Sequence, residues 1–222
     1  MEFRELFPIW NQLTKEEQER LEQGVTRKVC KKGEILHNGE SDCVGLLVIE
    51  EGCLRAYIIS EEGKEITLYR LLERDVCLFS ASCMMNNIDF DITIEAQTDC
   101  VVWIIPVRLY KSLMEVSLPM VNYTNQIMAA NFSDVMWLLD QILYKSFDAR
   151  LAAFLIETSE VEDCLEIKMT HDQIARNLGS AREVVTRMLK YFQREKAVEL
   201  ARGVIKITDM DKLYEWAKDS LR

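Results

Sequence analysis

Arg182, Glu183, Thr186, Arg187 and Lys190 are spaced so that one face of an α-helix would carry all five. An arginine fork matches guanine O6 and N7, and a glutamate accepts from the cytosine N4 amine. Such a face can read base edges in a major groove. Val185, Met188, Leu189 and Phe192 fall on the other side and would anchor the helix. Glu183 also admits a plainer role as a helix cap, because an acid on a DNA-facing surface repels phosphate unless it reads a base. Further along, Arg202 and Lys206 are cations suited to phosphate, a contact that positions without specifying.

The helix that carries these groups needs a support, and the flanking residues describe one. Residues 170–195 read THDQIARNLGSAREVVTRMLKYFQRE. Thr170 with Gln173 forms one capping box, and Ser180 with Glu183 forms a second. Helix starts this close leave room for a first helix of roughly eight residues and a tight turn. Gly179 stands where that helix must end, a position that favours left-handed backbone. Ala175 is small where two helices would cross, and Ile174 and Leu178 face inward. The spacing predicts a helix-turn-helix with the second helix in the groove. Val204–Thr208, preceded by Arg202-Gly203, reads as one arm of a β-hairpin wing, and Asp209–Leu221 as a closing helix. Arg182, Glu183, Thr186 and Arg187 are assigned to bases; Ser180, Lys190, Arg202 and Lys206 are assigned to the DNA backbone. An αα-hairpin that serves protein contacts or ligand binding is the competing reading.

Two other zones precede this one. Residues 1–116 are β-rich: Leu46–Ile49, Leu54–Ile59, Ile66–Leu71, Ile92–Ala96 and Val101–Ile105 alternate or are β-branched, with turn signals between them. Many short strands suggest a small barrel or sandwich. A helix with Thr14 as N-cap and Glu17 at its third position precedes them. In residues 117–145 the period changes. Val121, Asn125, Met128, Phe132, Val135, Leu139 and Ile142 step alternately by four and three, an a/d seam held for three heptads. This stripe would be buried between two copies of the chain, with Asn125 setting register, or packed on its own domain. Residues 146–222 alternate helices with short strands.

Composition bounds the remaining classes. The 222 residues are 49% hydrophobic and 29% charged, with a net charge of −10. The average conceals an uneven distribution: positions 176–206 hold eight basic and three acidic residues, a net +5. No apolar run approaches the roughly 18 residues of a membrane span, and MEFRELFPIW has no basic region leading into an apolar one. A cytoplasmic location without membrane attachment is expected. Seven cysteines without a C-x-x-C pair point to reduced thiols. A cysteine-based enzyme would need a base beside its thiol, and His37 and His171 are the only histidines. No G-x-G phosphate loop occurs, so the chain reads as a non-enzyme.

The chain resembles the Crp/Fnr family of bacterial transcription regulators over nearly its whole length. The most specific part is Arg182-Glu183-Val184-Val185-Thr186-Arg187, similar to that family's R-E-x-V-x-R recognition-helix motif. Gly52-x-Leu54-x-Ala56, then Gly63-Lys64-Glu65, then Asp75 resemble its cyclic-nucleotide-binding-type β-roll. The resemblance implies an α+β fold: an N-terminal double-stranded β-helix (a jelly-roll-like β-roll, 1–116), a long dimerisation helix (117–145) and a C-terminal winged helix-turn-helix (146–222). It further implies a homodimer on a two-fold symmetric double-stranded DNA operator, an effector in the β-roll, contact with RNA polymerase, and Arg182, Glu183 and Arg187 as base readers.

The sequence departs from the family's cyclic-nucleotide binders at the pocket. Aligned through Asp75 and Ala96, their Gly-Glu pair is replaced by Leu78-Phe79 and their Arg-Ser pair by Phe90-Asp91. An aromatic ring cannot pair with phosphate, and Asp91 repels it. Tight binding of cyclic AMP or cyclic GMP is therefore not expected. Leu78, Phe79 and Phe90, with Cys77 and Cys83, suggest an apolar effector pocket; a thiol- or metal-based redox sensor is the alternative. The Fnr-like branch holds its iron–sulfur cluster with N-terminal cysteines, and residues 1–29 have none. His37 is the lone β-roll histidine and reads as a strand-edge residue. Neither iron–sulfur nor haem is implied, and the effector stays unassigned.

Overall fold

The alternating segments of the N-terminal half form two four-stranded sheets. One takes the order β1-β8-β3-β6, from β1 (Thr26–Cys30), β8 (Cys100–Ile105), β3 (Leu46–Glu51) and β6 (Val76–Cys77). The other takes the order β2-β7-β4-β5, from β2 (Ile35–Asn38), β7 (Ile92–Ala96), β4 (Leu54–Ile59) and β5 (Glu65–Leu71). The computed structural model describes residues 1–39, 44–80 and 91–221. Two units emerge: Met1–Ile59 with Leu68–Val135, and Ser60–Thr67 with Met136–Arg222.

The first unit explains why Leu46–Ile49 is an unbroken apolar run rather than an alternating one. Leu47 and Ile49 point into a core shared by the two sheets, with Leu54, Ala56, Ile94 and Val102. Leu46 and Val48 point the other way, where Phe3, Leu6, Phe7 and Leu21 cover them. A strand buried on both faces has no position for a polar residue. The covering residues come from α1 (Phe3–Leu6), its C-cap Phe7 and α2 (Lys15–Gly24). The expected capping box holds α2: the Glu17 amide donates to Thr14 Oγ1 at 3.4 Å, and the Thr14 amide donates to Glu17 Oε2 at 2.7 Å. This is the β-roll of the expected α+β fold.

Among the described carboxylates of this unit, Glu50 is the strongly perturbed one. Its carboxylate is buried and accepts from Arg27 Nε at 2.8 Å, Arg27 Nη2 at 2.9 Å and Trp103 Nε1 at 2.8 Å. Arg27 foremost holds the Glu50 pKa down, from 4.5 to about 2. A depressed folded pKa stabilises the fold above the unfolded value, and that stability is lost as pH falls through the folded one. Acid titration followed by circular dichroism is expected to show stability falling between pH 4.5 and about 2. Glu50→Gln should remove that part of the pH dependence; an unchanged acid transition would show that other carboxylates set it.

After α3 (Val107–Met114) the chain runs through α4 (Leu118–Tyr144), a helix of 27 residues. Met120, Tyr123, Thr124, Ile127 and Asn131 form its inward side: Met120, Thr124 and Asn131 are buried, and Tyr123 and Ile127 are half-buried. The a/d seam lies elsewhere. Asn125 is exposed, Val121 and Val135 are half-buried, and Phe132 is 67% exposed. Met128, Leu139 and Ile142 are also exposed. Among the described residues, the stripe is therefore mostly exposed, and a different set of α4 residues packs inward.

The second unit holds α5 (Phe147–Glu162), β9 (Glu166–Ile167), α6 (His171–Leu178), α7 (Arg182–Arg194), β10 (Val198–Ala201), β11 (Val204–Ile207) and α8 (Met210–Ala217). Its sheet takes the order β10-β11-β9. Leu151, Leu155, Ile174, Val185, Leu189, Phe192, Ile205 and Leu213 make one core in which each is buried. Ser60–Thr67 belongs to the same unit, where Thr67 Oγ1 lies 2.9 Å from Asn177 Oδ1 and donates to it.

Candidate nucleic-acid interface

The support for the face assigned to bases is built from short-range signals. α6 opens on the expected box: the Gln173 amide donates to Thr170 Oγ1 at 3.2 Å, and the Thr170 amide donates to Gln173 Oε1 at 2.8 Å. It closes at Gly179, whose φ of +61 is the left-handed conformation that glycine adopts without a Cβ penalty. Ala175 is buried, in the core that also holds Val185 and Leu189 of the second helix.

The second capping box is a correction. α7 begins at Arg182 with Ala181 as its N-cap, and no side chain caps it. The reason lies in the turn before it. The amides of Gly179 and Ser180 both donate to the Ala175 carbonyl, so Ser180 completes the end of α6 and the start of α7 shifts one residue on. Glu183 then sits in the first turn of α7, where its charge complements the helix dipole. Arg150 Nη2 braces the turn by donating to the Leu178 carbonyl at 2.5 Å.

α7 is strongly two-sided. Val185, Leu189 and Phe192 are fully buried. On the outer side Arg182, Glu183, Thr186, Arg187 and Lys190, joined by Tyr191 and Arg194, line an open concavity of about 640 Å³. Four cations and one acid on that surface make it an anion-attracting face. All four residues assigned to bases are therefore brought together, with Lys190 beside them. Ser180, half-buried in the turn, and the wing residues stand apart from it.

Pairing within the helix and across the sheet also redistributes the charge. Arg176, counted in the basic segment, is held by Asp172, with Nε at 3.0 Å and Nη2 at 2.6 Å from Oδ2, so its charge is compensated. The β10–β11 hairpin turns at Arg202-Gly203, leaving Arg202 exposed at the tip. Lys206 stands opposite Glu199 on one neighbour strand and Glu166 on the other. Of the two wing cations, Arg202 is thus the one without an acidic residue opposite it in the hairpin register.

One residue that the sequence reading passed over is His171. Its Nδ1 lies 2.8 Å from Thr186 Oγ1, joining α6 to α7. Burial first, then Arg182 and Lys190, push its pKa down, so the ring is neutral at pH 7. No local pattern signals this contact, because the partners are fifteen residues apart.

The residues assigned to an effector pocket do not share one surface. Cys77 and Phe79 point into the core between the sheets, whereas Leu78 points into the core under the N-terminal helices. Strand β6 ends at Cys77, and the chain bends at Leu78, so Leu78 and Phe79 leave it on different sides. Burial pushes the Cys77 thiol up, away from reactive thiolate. Cys83 and Phe90 lie outside the described residues. His37 is on the edge strand β2, buried. No described helix is long and apolar enough to cross a membrane.

Comparison with known proteins gives consistent results. The family model of a cyclic nucleotide-binding domain matches residues 27–117, and that of a Crp-like helix-turn-helix domain matches residues 149–216. The chain is similar to a solved structure from Eubacterium rectale, described as a transcriptional regulator of the crp/fnr family. The two share 50% identity and a TM-score of 0.94 over 96% of this chain and 99% of that one. It is 26% identical to the fumarate and nitrate reduction regulatory protein of Yersinia pestis, over 86% of this chain and 78% of the other. It is 28% identical to the transcriptional regulator SdrP of Thermus thermophilus, over 76% and 81%.

Proposed function

The chain belongs to the Crp/Fnr family of transcriptional regulators, and from that premise we propose a homodimer that binds a two-fold symmetric DNA operator and inserts one α7 into each half-site. The observation that carries this reading is the two-sided α7, with its apolar side spent on the core and its cationic side exposed. Arg182, Glu183, Thr186 and Arg187 read bases; Lys190 and Arg202 hold phosphate, with smaller contributions from Ser180 and Lys206. The seam on α4 pairs with its copy, placing half-sites about one helical turn apart, roughly 34–36 Å. The protein works in the cytoplasm, as a regulator of DNA rather than an enzyme, and contacts RNA polymerase there by analogy with its family.

Selection of operators from a random DNA library, repeated under oxidising, reducing and anaerobic conditions, tests this reading. A palindromic consensus supports it, and the absence of any enriched sequence under all conditions defeats it. On the selected operator, Arg182→Ala is expected to cost about 1–3 kcal/mol and to relax the preference at one base pair. Unchanged affinity in a gel-shift titration would remove Arg182 from the readers. Regulation enters through the β-roll by an effector other than a cyclic nucleotide, since Leu78-Phe79 and Phe90-Asp91 replace the residues that cradle a cyclic phosphate. Calorimetric titration with cyclic AMP is expected to show no binding in the micromolar range or tighter; heat of binding at that level would overturn this.

A further inference from the structure

We propose that Cys30 and Cys100 are a disulfide-forming site in the β-roll, entered by a peroxide through the end of the β1–β8 ladder that Lys31 and Asp99 hold shut. The site is independent of α7 and of the DNA-binding reading.

Cys30 ends β1 and Cys100 begins β8, and the two are register partners at the last rung of that ladder. Residues directly opposite on antiparallel strands share a face of the sheet. Both thiols accordingly lie in the core between the two sheets, and both are buried. Opposite residues stand about 4.5 or 5.5 Å apart at Cα, and a disulfide spans about 4.4–6.8 Å, so this rung can take the bond with little backbone movement. Among the described cysteines it is the one cross-strand pair: Cys77 stands opposite Leu47, Cys53 lies between β3 and β4, and Cys164 is exposed in the second unit.

In the reduced chain the Cys100 sulfur leans toward the β3–β4 turn, 3.1 Å from the Thr98 carbonyl oxygen and 3.3 Å from that of Cys53, and its one hydrogen is shared between them. A thiol is a weak donor, so one rotation about the Cα–Cβ bond frees the sulfur to turn to Cys30. Burial, followed by Glu34, pushes the Cys30 thiol up, and the closed rung is unreactive. Beyond the rung, Lys31, Lys32, Thr98 and Asp99 are exposed. Lys31 Nζ donates to Asp99 Oδ2 at 2.8 Å, and the Lys32 amide donates to Asp99 Oδ1 at 2.9 Å. An exposed ion pair contributes little, so the ladder end frays more readily than the core strands and admits water and a small oxidant. One sulfur, as thiolate, attacks a peroxide oxygen: an S–O bond forms, the O–O bond breaks, and the leaving hydroxide takes the thiol proton as water. The second thiolate attacks that sulfur: the S–S bond forms, the S–O bond breaks, and a second water leaves. Two thiols give up two electrons and two protons, and one hydrogen peroxide becomes two waters. The crosslink closes residues 31–99, with β2 to β7, into one loop, which restricts the unfolded chain and stabilises the β-roll.

The test exposes the reduced full chain to hydrogen peroxide at neutral pH, blocks remaining thiols with N-ethylmaleimide and maps unreduced peptides by mass spectrometry. The expected product has lost two hydrogens, carries a Cys30–Cys100 crosslink and reverts with dithiothreitol. Cys30→Ser and Cys100→Ser should each abolish that product. Asp99→Asn, an exposed substitution, keeps an acceptor for the Lys32 amide and gives up the ion pair; it should crosslink about two- to fivefold faster. Two inert core cysteines would be recovered as thiols from the folded chain. The proposal is overturned if they are, if the folded chain is crosslinked only through other cysteines, if the Cys30–Cys100 bond forms only in urea, or if Asp99→Asn leaves its rate unchanged.

Discussion

A Phe132→Asp protein is expected to sediment as a single chain and to bind the operator roughly 10²–10⁴-fold more weakly than the wild type. Phe132 is a large apolar side chain left 67% exposed on α4. Met128, Leu139 and Ile142 continue the same exposed stripe along the helix. Among the described residues it is Met120, Thr124 and Asn131 that α4 turns inward, and the proposed seam gives the exposed stripe to a second copy. A carboxylate at its centre would be buried unpaired between two copies, at a cost that exceeds what the flanking contacts return. Two heads joined by a seam bind two half-sites with the second step intramolecular, and separated heads lose that gain. Because Phe132 is exposed in the single chain, the melting of each unit should be little changed by the substitution beyond the loss of pairing. Sedimentation of the variant as a stable dimer at micromolar concentration would refute the seam as the subunit contact.

The second large effect is on stability. Phe192→Ala should destabilise the C-terminal unit by roughly 3–5 kcal/mol. Phe192 is fully buried and stacks on Trp216, with ring centroids 4.5 Å apart and planes at 22°. It is the last of the three residues that pin α7 to the core, after Val185 and Leu189. Truncation leaves a cavity and removes the ring contact together, and α7 carries every proposed base reader. Denaturant melting followed by far-ultraviolet circular dichroism should show the C-terminal unit unfolding early, with the β-roll core, which does not contain Phe192, unaffected. Operator binding should fall in proportion to the unfolded fraction. Arg182→Ala should do the reverse, lowering affinity at unchanged melting, since Arg182 is exposed. A Phe192→Ala chain that melts like the wild type would mean the core tolerates the gap.

Much of the architecture was legible because its signals are local. The strands Leu54–Ile59 and Ile92–Ala96 have the bounds that alternation predicts. Thr14 with Glu17 and Thr170 with Gln173 cap the helices they were expected to cap. The effector region was less legible. Leu78 and Phe79 are both apolar in the sequence, and only the opposite sides of the chain on which they point separate them.

Hydrogen bonds between residues three or four apart, and hydrophobic periods of two or three and a half, are written in the order of residues, so the elements and the two-sided character of α7 could be inferred from order alone. Contacts between distant positions are not written that way. Packing decided that α4 turns Phe132 outward and that Ser180 ends one helix instead of starting the next. It also brought His171 to Thr186 and set Glu166 and Glu199 beside Lys206. Each of these depends on which surfaces meet when apolar area is buried, a property of the folded chain as a whole.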